Sequence, residues 1–244
     1  MKRAAAPADE AALPRRGPGR PKLSQPTPEH RQRLTEIIDT ATMIFHERGY
    51  DNGSLDDVAA AVGLTKGSLY HYLSSKKQLL YLIFDRALTR GLGRLDALGE
   101  IDDARQRLAS LIAHQVCMVV EDPMLFAVFF DSRPRLDDEY AEIVVRREHE
   151  YVARFRDLVG QALPGATPAE SRYTTHALIG MTNWTYKWFD RDRDDFRAVV
   201  RGMIALIIGE GVDVDAALAS AINHAAAASL PGRGRRRRVT APVH

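Results

Sequence analysis

The stretch Thr65-Lys66-Gly67-Ser68-Leu69-Tyr70-His71-Tyr72, followed closely by Lys76, concentrates hydroxyl, ammonium, phenol and imidazole groups in one short segment. The chemistry these groups suit is hydrogen bonding to a polyanion. Thr65, Lys66 and Ser68 reach base edges or phosphates, and Gly67, lacking a side chain, lets the backbone come close to a groove. Tyr70, His71, Tyr72 and Lys76, beside the start of the next helix, suit phosphate oxygens. Ser54, opening the preceding helix, is counted with them. Catalytic alternatives lack their signatures: no nucleophile elbow, phosphate-binding glycine loop or carboxylate pair is found. His114, His149 and His176 are not at metal-ligand spacing, and Cys117 is the only cysteine. The expectation is therefore no enzyme, no metal, no cofactor and no intrachain disulfide.

Such groups need short helices to aim them. Apolar residues recur at spacings of three and four between two tails, and alternating β-branched runs are absent, so the chain is expected to be all-α. A first helix from Glu29 to Arg48 ends at Gly49, a residue tolerant of positive φ. Ser54 caps a short helix that stops at Gly63, and a second starts at Thr65; Leu55, Val58, Ala59, Val62, Leu64, Leu69 and Leu79 supply their shared core. Ser75 and Gln78 form a capping box opening a long helix toward Leu98. Five further helices are expected: 102–121, 124–132, 136–163, one from the Thr167-Pro168-Ala169-Glu170 start signal to Asp190, and a last long one over 194–209.

The run from Leu55 to Tyr72, with Ser75-Lys76 and Leu79-Leu80 after it, resembles the DNA-binding signature of the TetR family of transcriptional regulators across Arg33 to Ile83, with Leu73 where that family often has Phe. The resemblance implies an N-terminal three-helix helix-turn-helix DNA-binding domain and a larger helical ligand-binding and dimerisation domain. It also implies a homodimer on double-stranded operator DNA, and a repressor released by a small molecule. Residues matching Lys66, Gly67 and Ser68 would then face the bases, and those matching Tyr70, His71 and Lys76 the backbone.

Charge sharpens this division. The chain has 34 basic and 32 acidic side chains, and a net +2 argues at first sight against nucleic acid. Residues 1–28 hold six basic and two acidic groups, however, and residues 229–244 five Arg and no acid, leaving an acidic body. The chain thus reads as a disordered basic arm (1–28), a DNA-binding domain (29–78), a sensing and dimerisation domain (79–228) and a disordered Arg-rich tail (229–244). Gly17-Pro18-Gly19-Arg20-Pro21-Lys22 is similar to an AT-hook core, which would send Arg20 into a narrow minor groove. An architectural A·T-rich DNA-binding protein working through its basic tails is accordingly the alternative. No apolar stretch approaches a membrane span, no signal peptide is seen, and a cytoplasmic location is expected.

In the body, Val116, Val120, Phe126, Phe129, Phe130, Tyr140, Val144, Tyr151 and Phe155 are candidates to line a lipophilic pocket, with Trp184 beside them. Arg147 interrupts an otherwise apolar stripe and needs an anion: Asp131 or Glu148, or an acidic ligand. The stretch Asn183 to Phe189 is similar to that of TetR-type regulators answering to acyl-coenzyme A thioesters. Two stripes, Ala177-Met181-Trp184-Trp188 and Phe196-Val199-Val200-Met203-Ile207, place a homodimer interface on the last two long helices.

Overall fold

The computed structural model of the protein describes residues 27–136 and 138–228; Arg20, most of the basic arm and the Arg-rich tail lie outside the described residues. Among those described there is no strand, and the helices run α1 (Pro28–Arg48), α2 (Leu55–Ala61), α3 (Lys66–Leu69), α4 (Lys76–Asp96), α5 (Ala104–Glu121) and α6 (Pro123–Asp131). A 3-10 turn, Arg133–Arg135, leads to α7 (Asp138–Ala162), α8 (Pro168–Asn183), α9 (Thr185–Trp188), α10 (Phe196–Ile207) and α11 (Val214–Ala228). No single helix among them is long and apolar enough to cross a membrane.

Local chemistry sets most boundaries. Ser54 accepts from the Asp57 amide while Asp57 accepts from the Ser54 amide, satisfying two orphan N–H groups of α2, and Thr167 with Glu170 does the same for α8. Gly49 and Gly63 both adopt positive φ, 78° and 69°, where the chain leaves α1 and turns from α2 to α3. The box expected at Ser75 is closed differently. Ser75 accepts from the Gln78 amide, but the Gln78 side chain reaches back to Ser74, not Ser75.

Two expectations about the C-terminal half are corrected. The helix begun at Thr167 does not run through to Asp190: Thr185 Oγ1 donates to the Thr182 carbonyl at 2.6 Å, competing with the helical ladder, and the chain breaks at Trp184 before resuming as α9. Nor is the helix around 194–209 the last. After Gly209 and Gly211, both at positive φ, α11 follows; Gln106 exchanges two hydrogen bonds with the Asp213 backbone, and Asp213 accepts from the Ala216 amide at the start of α11.

The buried side chains form two clusters. The first joins Ile37, Ala41 and Phe45 of α1 with Val58, Leu69 and Leu79, as expected, but it does not stop at residue 78. It continues through Leu80, Ile83 and Phe84 of α4 to Met118, Leu125, Phe129 and Val144, and the Phe84 and Phe129 rings lie 4.6 Å apart. The second surrounds α5, buried from Leu108 to Val120, and draws in Leu95, Phe155, Val159, Leu178, Val200, Ile204, Ala217 and Leu218. Burial of this extent, at about 25 cal/mol per Å² of apolar surface, is the main term holding the helices together.

Candidate functional site

The predicted contact residues around the α2–α3 turn differ in exposure. Thr65, Lys66, Gly67, Tyr70 and His71 are exposed, Ser68 and Ser54 half-buried, and Leu69 beneath them is fully buried and anchors the turn. Several of these groups already have work within the chain. Thr65 caps α3 by accepting from the Ser68 amide at 3.1 Å, and its hydroxyl lies 2.9 Å from that of Ser68. Lys66 Nζ donates to Asp56 Oδ2 at 2.9 Å, and this hydrogen bond raises the lysine's pKa. Tyr72 is half-buried, its ring stacked on His30 at 4.7 Å. Tyr70, 47% exposed, is the large side chain of the set left standing in solvent.

Lys76 turns inward. Its ammonium donates to the Asp51 carbonyl at 3.2 Å and sits 4.2 Å from the centre of the Tyr50 ring, and partial burial lowers its pKa. Asp51 in turn accepts from Arg135 at 2.8 Å, which holds its carboxyl below the usual range. The loop beside the recognition surface is thereby tied to the turn that follows α6. A cavity of about 230 Å³ lies at this junction, between Phe45, Gly49 and Asp51 on one side and Val128, Asp131 and Arg135 on the other. Sequence reading missed this contact, because Asp51 and Arg135 are 84 positions apart.

The expected lipophilic pocket is packed with side chains. Val116, Val144 and Phe155 are fully buried and Val120, Phe126 and Phe129 nearly so, within the two core clusters. Phe130 stacks on Tyr186 at 5.3 Å and Tyr140 on Tyr81 at 4.8 Å. Arg147 is paired with neither Asp131 nor Glu148: it binds Asp85 and, at 3.0 Å, Thr89 Oγ1, both on α4. Asp131 is taken by Lys187 and Tyr186, and Glu148 by Arg133. Trp184 is 58% exposed and points away from the interior.

What the sequence did not reveal is a polar core beneath the apolar stripes. Arg94, on α4 and 4% exposed, donates to Glu121 at 2.9 Å; Arg90 bonds Asp122 at 2.9 Å and also approaches Glu121. Tyr151 donates to Gln115 and Gln115 to Asn183, each at 2.6 Å, a chain across α7, α5 and α8. His114 Nε2 lies 2.9 Å from Ser220 Oγ, and its ring is 5.3 Å from that of His224 on α11. Burial, reinforced by the Arg94 charge, depresses the His114 pKa to about 3, so the imidazole is neutral. The Cys117 thiol is pushed up to about 11 by burial and the neighbouring Glu121.

Residues 37–81 match the family described as bacterial regulatory proteins, tetR family, and residues 102–209 match a tetracyclin repressor-like C-terminal domain. The chain belongs to the TetR family. Its relatives include an uncharacterised HTH-type transcriptional regulator of Mycobacterium tuberculosis, 25% identical over 70% of this chain and 83% of that one. The IcaR negative regulator of the Staphylococcus aureus biofilm operon icaADBC is 48% identical, over 18% of this chain and 24% of its own length. Among solved structures, AibR in complex with isovaleryl coenzyme A and operator DNA superposes with a TM-score of 0.67 at 25% identity, covering 73% of this chain and all of AibR. The ketosteroid regulator KstR2 of M. tuberculosis, at 18% identity and a TM-score of 0.65 over 72% of this chain and 93% of its own, shares the fold. As a TetR-family protein, the chain is a DNA-binding transcriptional regulator and not an enzyme.

Proposed function

We propose that this TetR-family chain is a homodimeric cytoplasmic repressor that leaves its operator when an acyl-coenzyme A thioester enters the domain spanning residues 79–228. The observation that carries the reading is the first core cluster, which binds α1 and α2 of the DNA-reading part (29–78) to α4 and α6 without a break. A ligand that moves α4 or α6 must also move the reading surface, since packed cores shift between discrete arrangements and do not deform smoothly. AibR, which its structure holds with an acyl-coenzyme A and operator DNA, supports the ligand class.

Dimerisation is assigned to the outward faces of α8 and α10. Tyr173, Trp184 and Trp188 are 61%, 58% and 42% exposed, and Leu206 on α10 is 77% exposed. Trp184 lies at the break after α8 and Trp188 in α9, so these exposed apolar side chains are taken together with α8 and α10 as the interaction face. The face differs from the expected α10 stripe, because Val200 and Met203 are buried in the chain's own core. A dimer on a two-fold operator needs its reading heads about one DNA turn apart. The test is a gel shift of the full chain on DNA upstream of its own gene, with and without acyl-coenzyme A thioesters. A sequence-selective shift, relieved by a thioester, is expected; no selective shift at moderate salt would sink the reading. Complete loss of DNA binding on deleting residues 1–28 would favour the tail-driven architectural alternative.

A further inference from the structure

Two buried atoms of the polar core lack a hydrogen-bond partner among the described residues. They are Arg94 Nη1 and His114 Nδ1; neither has a partner at hydrogen-bonding geometry, although the Arg94 guanidinium also interacts with the Cys117 thiol. A guanidinium is always charged and its N–H groups are donors only, so Nη1 calls for an acceptor oxygen. Leaving a charged donor buried without one is costly. The Arg94 charge also acts on His114, Cys117, Tyr151 and His224, so helices α5, α7 and α11 converge on the same guanidinium. The apolar cluster around α5 includes Leu95, Ile112, Phe155 and Leu178, from four helices.

The charges nearby decide what kind of oxygen fits. Arg90 and Arg94 are already matched by Glu121 and Asp122, two cations against two carboxylates. Since the His114 imidazole is neutral, it offers no further positive charge. A carboxylate or phosphate brought here would be a third anion without a counter-charge, and its desolvation would go uncompensated. A carbonyl oxygen supplies the missing acceptor and adds no charge. We propose that Arg94 Nη1 is the recognition point for a neutral carbonyl oxygen of the effector, the thioester carbonyl of an acyl-coenzyme A. This assignment rests on the acyl-thioester reading above and specifies which atom of the ligand is read.

The experiment compares ligands that differ only at that atom. Isothermal titration of the full chain with coenzyme A thioesters from isovaleryl to palmitoyl finds the tightest binder. That thioester is then set against its alkyl thioether, identical in charge and length with CH2 in place of the carbonyl. Loss of a hydrogen bond to a charged donor should weaken the thioether roughly ten- to hundred-fold. In Arg94→Met the two should bind alike, while Arg94→Lys should keep part of the preference. Should Arg94→Met fail to fold, Arg94→Lys carries the test, and a folded Arg94→Lys with undiminished preference overturns the assignment. Equal affinity of the wild type for thioester and thioether, as a bridging water on Arg94 would also give, overturns the role of Arg94 and leaves the acyl-thioester reading intact. Binding of neither overturns that reading and this one with it. A folded Arg94→Met that retains the full preference also overturns the assignment.

Discussion

Lys66 and Arg94 are both cations held by one near carboxylate at 2.9 Å, yet their surroundings are opposite. Lys66 and Asp56 are more than half exposed, whereas the Arg94 side chain is 5% exposed. On the recognition surface, polar groups find partners a few residues away and water supplies the rest. Inside the second cluster, Arg94, Gln115 and Tyr151 take their partners from other helices, and Arg94 Nη1 and His114 Nδ1 find none among the described residues. The difference teaches where each region's substitutions should register: in DNA affinity at the surface, in folding stability within.

The largest effect should come from Glu121→Ala, which deprives Arg94 of its carboxylate. Breaking an ion pair with one buried member should cost about 3 kcal/mol in urea unfolding. A loss no greater than that of an exposed pair would show that the interior is wetter than its packing implies. Next is pH. His114 has an ordinary pKa of 6.5 and a folded one of about 3, so the unfolded chain takes up a proton first as pH falls. Stability should therefore decline from near neutrality downward, by about 2 kcal/mol between pH 7.5 and 5, above the range where carboxylates titrate. His224, lowered in the same direction by burial, adds to the slope. His114→Gln should flatten the profile in that window; an unchanged slope would place its origin elsewhere.

Helix caps test whether the two regions differ at all when the chemistry is the same. Ser54→Ala and Thr167→Ala each remove the hydroxyl of a reciprocal capping box, and each should cost about 1 kcal/mol. Unequal costs would mean that the surrounding cores, not the caps, govern. Lys66→Ala should leave the melting temperature unchanged and weaken operator binding roughly tenfold. Asp56→Ala, which frees the lysine, should raise affinity for random DNA in gel shifts at low salt. A fall in that affinity would show that Asp56 positions Lys66 instead of competing for it.

How much of this was written in the sequence follows the range of the interactions. Ser54, Thr167, Gly49 and Gly63 act on residues three or four away, and their roles were legible. So was the buried side of α2 and α3, since its spacing is that of a helix face. The α8 break was not, because a threonine hydroxyl back-bonding at Thr185 leaves the apolar pattern intact. The alanine-rich α11 shows little contrast between faces, and only packing of Ala217, Leu218 and Ala221 into the core around α5 identifies its buried side. Arg147 was visible as a misfit, but its partners on α4 are 58 and 62 positions away. Arg94 raised no signal, for one of three arginines spaced four apart on α4 reads as a solvated side chain until Glu121 is folded against it.

The unbroken first cluster bears on how such a protein can be rebuilt. A chimera that joins this reading head to a foreign sensor by cutting at residue 78 would separate Ile37, Phe45 and Leu69 from Ile83, Phe84 and Phe129, which belong to the same cluster. The transplantable unit is the head together with the first half of α4 and the whole of α6. A hybrid switch that keeps those two segments native retains the contact surface through which any inducer would be felt at the DNA.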